Sequence, residues 1–312
     1  MGSEPERRAG DRTGGHPDTD LGAVTLTAGA TSITVLTRVG LTVSSLDHRG
    51  EQYLSLHGGV AALRGGHTTG LPLLAPWANR LRGPDYVVDD RRVAVVGSPG
   101  VHLDANGLPL HGTMVGRDGW SIEQRDASSL TAMFDAAADP EVMASFPFPH
   151  SLTVRFAVEP ARLTVTTTLR ATGAVAAPVS FGWHPYFTLP GSERDDWWLE
   201  LPDRVHLLLD ELQLPTGAVV DEPAGRVDLL GRALDDGYLL GADRRLALCG
   251  PDHRLEVALD GAYPVAQVYA PIGSPFVALE PMTAPTDALS RAQAATVAPG
   301  HQHTAGFVVT IV

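Results

Sequence analysis

The sequence predicts an all-β chain, a large antiparallel sandwich or barrel, on three observations. Apolar and polar residues alternate in short runs from Val24 onward, 33 glycines and 24 prolines punctuate those runs, and no long stretch carries the apolar period of an amphipathic helix. Alternation at period two gives each strand one apolar face, and frequent turns between short strands are what a sheet folded back on itself requires.

Taken in order, VTLT and SITVL flank Ala28-Gly29-Ala30 and predict a hairpin. YVVDDRRVAVV, residues 86–96, repeats that spacing. In SLTVRFAV, Leu152, Val154, Phe156 and Val158 share one face; across the turn EPAR, Leu163, Val165 and Leu169 of LTVTTTL do the same, which predicts an antiparallel hairpin. Further short runs lie at 195–201, 255–259, 266–269, 276–279 and 307–312. No Pro/Gly-rich linker and no fixed-period repeat divides the chain, so residues 22–312 read as a single domain. The polar stretch before it, residues 1–21, reads as a disordered tail.

Composition narrows the function. With 23 basic against 36 acidic residues the net charge is -13, which argues against nucleic acid and favours neutral ligands. No apolar run approaches the roughly 18 residues of a membrane span, and the first twenty residues lack the apolar core of a signal peptide. Cys249 is the lone cysteine, so no intrachain disulfide can form and a reducing, cytoplasmic setting is expected. The oligomeric state stays open.

Four motifs carry chemistry. GLPLLAPWANRLRG, residues 70–83, delivers Trp77, Asn79 and Arg80 together; an aromatic face beside a guanidinium suits a polyhydroxylated ring, although Arg80 can equally tie a loop to carbonyls. LHGTMVGRDGW, residues 110–120, has glycines that let His111 sit on a pocket wall, against the blander reading of a satisfied loop histidine. GWHPYFTL, residues 182–189, sets His184 between Trp183 and Pro185; the proline cannot donate to a ladder, so the chain leaves regular pairing there. Its imidazole suits proton transfer, with a structural, carbonyl-bonded histidine as the alternative. VALEPMTAPTDAL, residues 277–289, ends an apolar run on Glu280, and a carboxylate buried there costs several kcal/mol unless it has partners. An ion pair with an arginine is the other reading. His301 and His303 lack a third ligand and predict no metal site, and Asp235 and Asp236 of LDDGYLL read as surface-turn carboxylates unless context promotes one.

Together and in order, Asn79-Arg80, His111-Gly112, His184-Pro185-Tyr186-Phe187, Asp235-Asp236-Gly237-Tyr238 and Glu280-Pro281 with Thr286-Asp287-Ala288 resemble the aldose 1-epimerase (galactose mutarotase) family, across residues 22–312. The resemblance implies the family's large antiparallel β-sandwich, the galactose mutarotase-like supersandwich, with a monosaccharide, a hexose such as glucose or galactose, in a cleft. It implies His184 as catalytic acid and Glu280 as catalytic base, with Arg80, His111 and Asp235 on sugar hydroxyls and Asn79, Trp77 and Trp183 beside them. Asp235 is preferred to Asp236 for its three-residue offset from Tyr238. His301 stands where family members often carry an acidic residue, which leaves substrate identity open.

Interconverting anomers means breaking the bond from C1 to the ring oxygen, rotating about C1–C2 and reclosing, which needs one acid, one base and no cofactor. Ordinary values leave Glu280 ionised and His184 mostly neutral near pH 7, so the site is expected to raise His184, and the two side chains to face each other across one sugar ring. A bell-shaped rate profile follows, with Glu280 setting its lower limb and His184 its upper. A glycoside hydrolase using Glu280 and Asp235, a non-catalytic sugar-binding module, and a sugar-phosphate epimerase using Arg80 and Arg82 are the competing readings.

Overall fold

A computed structural model describes residues 20–312. The predicted tail lies outside the described residues except for Asp20 and Leu21. Asp20 accepts from the Gly22 N–H at 3.0 Å and pairs with Arg38, and Leu21 packs against a cluster containing Leu36, Val39 and Leu63, so both belong with the folded chain.

The first hairpin forms as predicted, with Ala23–Ala28 against Thr31–Leu36 and Gly29 at φ 60 in the turn. Thr42–His48 and Glu51–Gln52 extend it to four strands. The second hairpin is longer than its apolar runs suggest: His150–Glu159 pairs with Arg162–Ala171 from His150↔Ala171 to Glu159↔Arg162. It forms the middle of a nine-stranded sheet, because the last strand, Gln302–Ile311, pairs along Arg162–Ala171 and brings Arg254–Leu259, Arg245–Cys249, Trp198–Leu201 and Gly225–Asp228 behind it. On the other side of that strand pair lie Ser129–Asp135 and Ser121–Arg125.

A second large sheet orders Pro215–Glu222, Arg204–Leu209, Leu234–Leu240, Val265–Ala270, Val277–Met282, Gly182–Trp183 and Leu73–Leu74, with Tyr186–Phe187 also on Val277–Met282. All these pairings are antiparallel. LDDGYLL is therefore a strand inside this sheet and not a turn: Leu234, Tyr238 and Leu240 pack with the core, and the glycine allows a neighbour close approach without breaking the pairing. The two sheets meet through apolar faces. Trp183 of one lies 5.8 Å from Phe156 and 6.2 Å from Phe307 of the other, and its indole N–H donates to Thr167 at 3.0 Å. That apolar layer is the sandwich core.

Among the described residues α-helix is confined to Gly59–Arg64 and Pro140–Ser145, the latter capped by the Asp139 carboxylate on the Glu141 and Val142 N–H groups, and short 3-10 turns lie at Ala136–Ala138 and Arg194–Asp196. None of these helices is long and apolar enough to cross a membrane.

Trp77 and Trp183 correct the sequence reading. Both are fully buried, so neither offers a ring face to a sugar. Strand alternation explains Trp183, since it and His184 must point to opposite sheet faces, and only one of those faces is the core. Truncating Trp183 to alanine should therefore act as core removal, lowering stability by about 3–5 kcal/mol in urea denaturation.

Candidate active site

Cross-strand register assembles the site. Gly182 pairs with Met282 and Tyr186 with Ala278, so the same register sets His184 opposite Glu280. The His184 and Tyr186 N–H groups donate the other way, to the carbonyls of Pro72 and Gly70. Toward Val277–Met282 they thus occupy non-hydrogen-bonded pair positions, where opposed side chains come closest. Pro185 sits between them with no N–H to complete the ladder, which is where the strand is interrupted.

The rows continue across the sheet. Glu280 pairs with Gln267 and Gln267 with Gly237, while Ala278 pairs with Tyr269 and Tyr269 with Asp235. Residues two apart on a strand share a face, so His184, Tyr186, Glu280, Gln267, Tyr269 and Asp235 converge on one side. They line a cleft of about 330 Å³. Met282 and Val265, one row further on, join Leu74 and Ala78 in a small apolar cluster that closes the sheet beside the polar patch.

Loops supply the remaining wall. The Asn79 N–H donates to His111 Nδ1 at 3.2 Å and the His111 N–H to the Asn79 carbonyl at 3.0 Å, so the two loops clasp each other. Because Nδ1 accepts, the neutral His111 ring carries its proton on Nε2 and presents a donor. Gly112 lets this happen: it has φ +69, and a Cβ there would stand 2.2 Å from the Ala75 carbonyl oxygen. Asn79 Oδ1 accepts from the Arg80 backbone at 3.0 Å and from Arg80 Nη1 at 3.3 Å, and Arg80 Nε donates to Asp104 Oδ2 at 2.8 Å. Thr68, His67 and His102 complete the rim.

His184 Nε2 lies 3.3 Å from Glu280 Oε1 and 3.3 Å from the Tyr186 hydroxyl, whose ring stacks on the imidazole at 4.3 Å. The Tyr186 hydroxyl reaches Thr68 Oγ1 at 2.5 Å. The two side chains expected to face each other share one cleft and lie in direct contact, closer together than the width of a sugar ring. Their target oxygens, the C1 hydroxyl and the ring oxygen, are borne by a single carbon, and a close pair suits them.

The charge expectation for His184 is also reversed. Burial lowers it well below the ordinary imidazole range, helped by His111 and His57. Burial raises Glu280 well above the ordinary carboxylate range, Asp235 adds to this, and Arg80 opposes it. Burial thus disfavours the charged form of each group, and among the states of the pair it favours those without net charge. Burial also raises Asp235, against hydrogen bonding from Gln267 Nε2 at 2.8 Å and the pull of Arg80. His111 is pushed down to about 3 by burial, with Arg80 adding.

Of the residues singled out by sequence, Asn79, Arg80, His111, His184, Asp235 and Glu280 line the cleft together, whereas Trp77 and Trp183 do not. Asp236 points off the opposite face and lies 3.2 Å from His206 Nε2. Arg82 Nε is bound to Asp287 at 2.5 Å and does not line the cleft. Sequence reasoning missed Gln267, Tyr269, Thr68, His67, His102 and Asp104. Gln267 and Tyr269 had a signal, two polar-tipped residues at i and i+2 in the otherwise apolar VAQVYA; Asp104, in DANGL, shows only a turn.

This fold places the chain among large antiparallel β-sandwich proteins that carry a polar cleft on one sheet. It belongs to the aldose 1-epimerase family, whose pattern matches residues 22–310. The chain is 25% identical over 233 residues to the uncharacterised Escherichia coli protein YihR, covering 70% of this chain and 71% of that one. It is 30% identical over 162 residues to E. coli YphB, 48% of this chain and 49% of the other. Among solved structures, a galactose mutarotase-like protein from Clostridium acetobutylicum superposes with a TM-score of 0.81 at 17% identity, covering 93% of this chain and 95% of that one. An aldose epimerase homologue from Caenorhabditis elegans gives 0.78 at 16%, covering 93% and 98%. At these identities the structural likeness speaks for the fold.

The clasp and burial of His111 make a direct prediction. Long-range ¹H–¹⁵N NMR of the imidazoles should find His111 as the Nε2–H tautomer, staying neutral until the pH approaches about 3. An Nδ1–H tautomer, or protonation at the ordinary value near 6.5, would break the inferred geometry.

Proposed function

We propose that the chain is an aldose 1-epimerase, an isomerase interconverting the α- and β-anomers of a neutral aldose such as glucose or galactose, with residues 22–312 acting as one sugar-binding domain. The observation that carries this reading is the His184–Glu280 contact at 3.3 Å on the floor of a cleft whose lining also holds Asn79, Arg80, His111, Asp235 and Gln267, groups able to bond hydroxyls. A cleft of about 330 Å³ is at the small end of ligand pockets, which suits a monosaccharide.

Glu280 takes the proton of the C1 hydroxyl while His184 gives its proton to the ring oxygen; the C1 to ring-oxygen bond breaks and an open-chain aldehyde forms. Rotation about C1–C2 presents the other carbonyl face. On reclosure the former ring hydroxyl returns its proton to His184, and Glu280 returns its own to the anomeric oxygen. The pair begins and ends with one proton, so the cycle resets without a cofactor or an external proton path. Attack requires that proton on His184 and an ionised Glu280, and Arg80 biases the pair toward that form against burial. Among the described residues Glu280 Oε2 has no hydrogen-bond partner, and an unpaired buried oxygen costs roughly 1–3 kcal/mol, which a sugar hydroxyl would offset. The His111 Nε2–H donates to a hydroxyl, Asp235 accepts from one, and Arg80 donates to a third.

Polarimetry of freshly dissolved α-D-glucose and α-D-galactose tests the reading, with the buffer-catalysed rate subtracted. Glu280→Gln and His184→Asn should each lower kcat by roughly 10²- to 10⁴-fold. A wild-type rate equal to the blank on both sugars would falsify the proposal.

The pH profile follows from the buried pair. A second proton would leave it with net positive charge and loss of its proton with net negative charge, and burial opposes both. The acid limb of kcat/KM therefore moves down and the alkaline limb up, giving a plateau bounded by the pair as a unit instead of one limb for each residue. Limbs at the ordinary values of about 4.3 and 6.5, one for each residue, would show that burial does not couple the pair.

A further inference from the structure

We propose that Asp104 is the positioning and specificity-determining residue of the cleft: it fixes the Arg80 guanidinium and cancels its charge, so that the site selects uncharged aldoses over aldoses bearing a carboxylate. The inference rests on the sugar-binding reading given above and adds the residue that sets substrate charge.

Asp104 is built into place. Its Oδ1 accepts from the Asn106 and Leu108 N–H groups, both at 2.9 Å, and its Oδ2 from Arg80 Nε at 2.8 Å. The loop around it is closed by its own backbone, with the Asp104 N–H donating to the Leu108 carbonyl and the Gly107 N–H to the Asp104 carbonyl. Gly107, at φ +78, makes that turn possible. The carboxylate is therefore held from both sides and cannot follow Arg80 if the guanidinium moves; the guanidinium must come to it. The Asp104 side chain is 7% exposed and that of Arg80 17%, so the pair is part-buried. Burial pushes Asp104 up, but donation from Leu108, Arg80 and Asn106 outweighs it and holds the acid below the ordinary carboxylate range.

With Nε on Asp104 and Nη1 on Asn79, the Nη2 end of the fork has no acceptor among the described residues, which leaves it for a sugar oxygen. The remaining charges explain the selectivity. Arg80 and Asp104 cancel; the carboxylic acids on the floor are Asp235 and Glu280, and burial lowers His111 and His184 below the ordinary imidazole range, which disfavours their cationic forms. Arg82 is engaged by Asp287. Among the described residues Arg80 is the only arginine or lysine lining the cleft, so with its charge cancelled no guanidinium is left to receive an anionic substituent.

Calorimetric titration with two matched pairs, D-galactose against D-galacturonate and D-glucose against D-glucuronate, reads the selectivity without turnover. The wild type should prefer the hexose of at least one pair. Asp104→Asn and Asp104→Ser both remove the charge while keeping an oxygen for the turn, and each should shift the hexuronate-to-hexose affinity ratio toward the hexuronate by roughly tenfold, the effect of one charge about 10 Å away at an effective dielectric near 20. Asp104→Glu restores the charge and should keep the wild-type ratio even where overall affinity falls. Unchanged ratios in the Asn and Ser variants, an equal shift in the Glu variant, or no binding of either pair by the wild type would each overturn the inference. Selective binding without anomer interconversion in polarimetry would instead sink the epimerase reading and leave this one standing.

Discussion

One register relation underlies the cleft: the strand Val277–Met282 runs antiparallel to a partner broken at Pro185, and the break leaves His184 opposite Glu280. Two polar side chains buried at such a position cannot turn away, because the N–H groups of His184 and Tyr186 are already committed to Pro72 and Gly70 on the far flank. Slipping the register by one residue would send His184 into the sandwich and Trp183 into the cleft. The tryptophan prevents this. Packed between Phe156 and Phe307 with its N–H on Thr167, it makes the alternative register cost both a cavity and an orphaned indole donor. Trp183 thus serves the site from the opposite face of the sheet.

Burial gives the pair its proton economy. In water a carboxylate and an imidazole lose their protons at separate, ordinary values; side by side and dry, they resist any state that carries net charge. Arg80 is what keeps the ionised arrangement within reach, and it does so from a distance, since its own hydrogen bonds go to Asp104 and Asn79. The strength of that bias depends on how completely Asp104 cancels the guanidinium. The proposed selectivity for substrate charge and the placing of the pair's proton would therefore depend on the same ion pair.

Sequence patterning conveyed the strands better than the neighbours of each strand. The hairpin of His150–Glu159 with Arg162–Ala171 was legible because its apolar residues alternate, and GWHPYF announced a break because proline cannot donate. Trp77 and Trp183 misled because an aromatic residue beside a polar one looks the same whether its ring faces a ligand or a core; strand alternation separates the two only when the partner sheet is known. LDDGYLL looked like a turn because two aspartates and a glycine are turn residues, yet its outer residues are apolar and sit in a sheet with partners on both sides. Asp104 gave no functional signal at all. Its importance comes from a residue 24 positions away, a relation that spacing along the chain does not contain.

The division between sheet and loop has a physical basis. Acid, base and the Asp235–Gln267 pair stand on adjacent strands, where backbone ladders hold their separations, as proton transfer demands. Arg80, His111 and Asp104 come from loops, and two positions there carry backbone strain: Asn79 at φ 59 and His111 at φ 62, each in the left-handed region that few side chains favour. Asparagine tolerates that conformation, but histidine gains nothing from it locally. What maintains it is the reciprocal clasp between Asn79 and His111, together with Gly112 pressed against the Ala75 carbonyl. Strain sustained by contacts that also aim a hydrogen-bond donor into a cleft is characteristic of a ligand-reading surface. The sheet fixes His184 and Glu280 in place, while the loops shape the wall that any ligand of the cleft would meet.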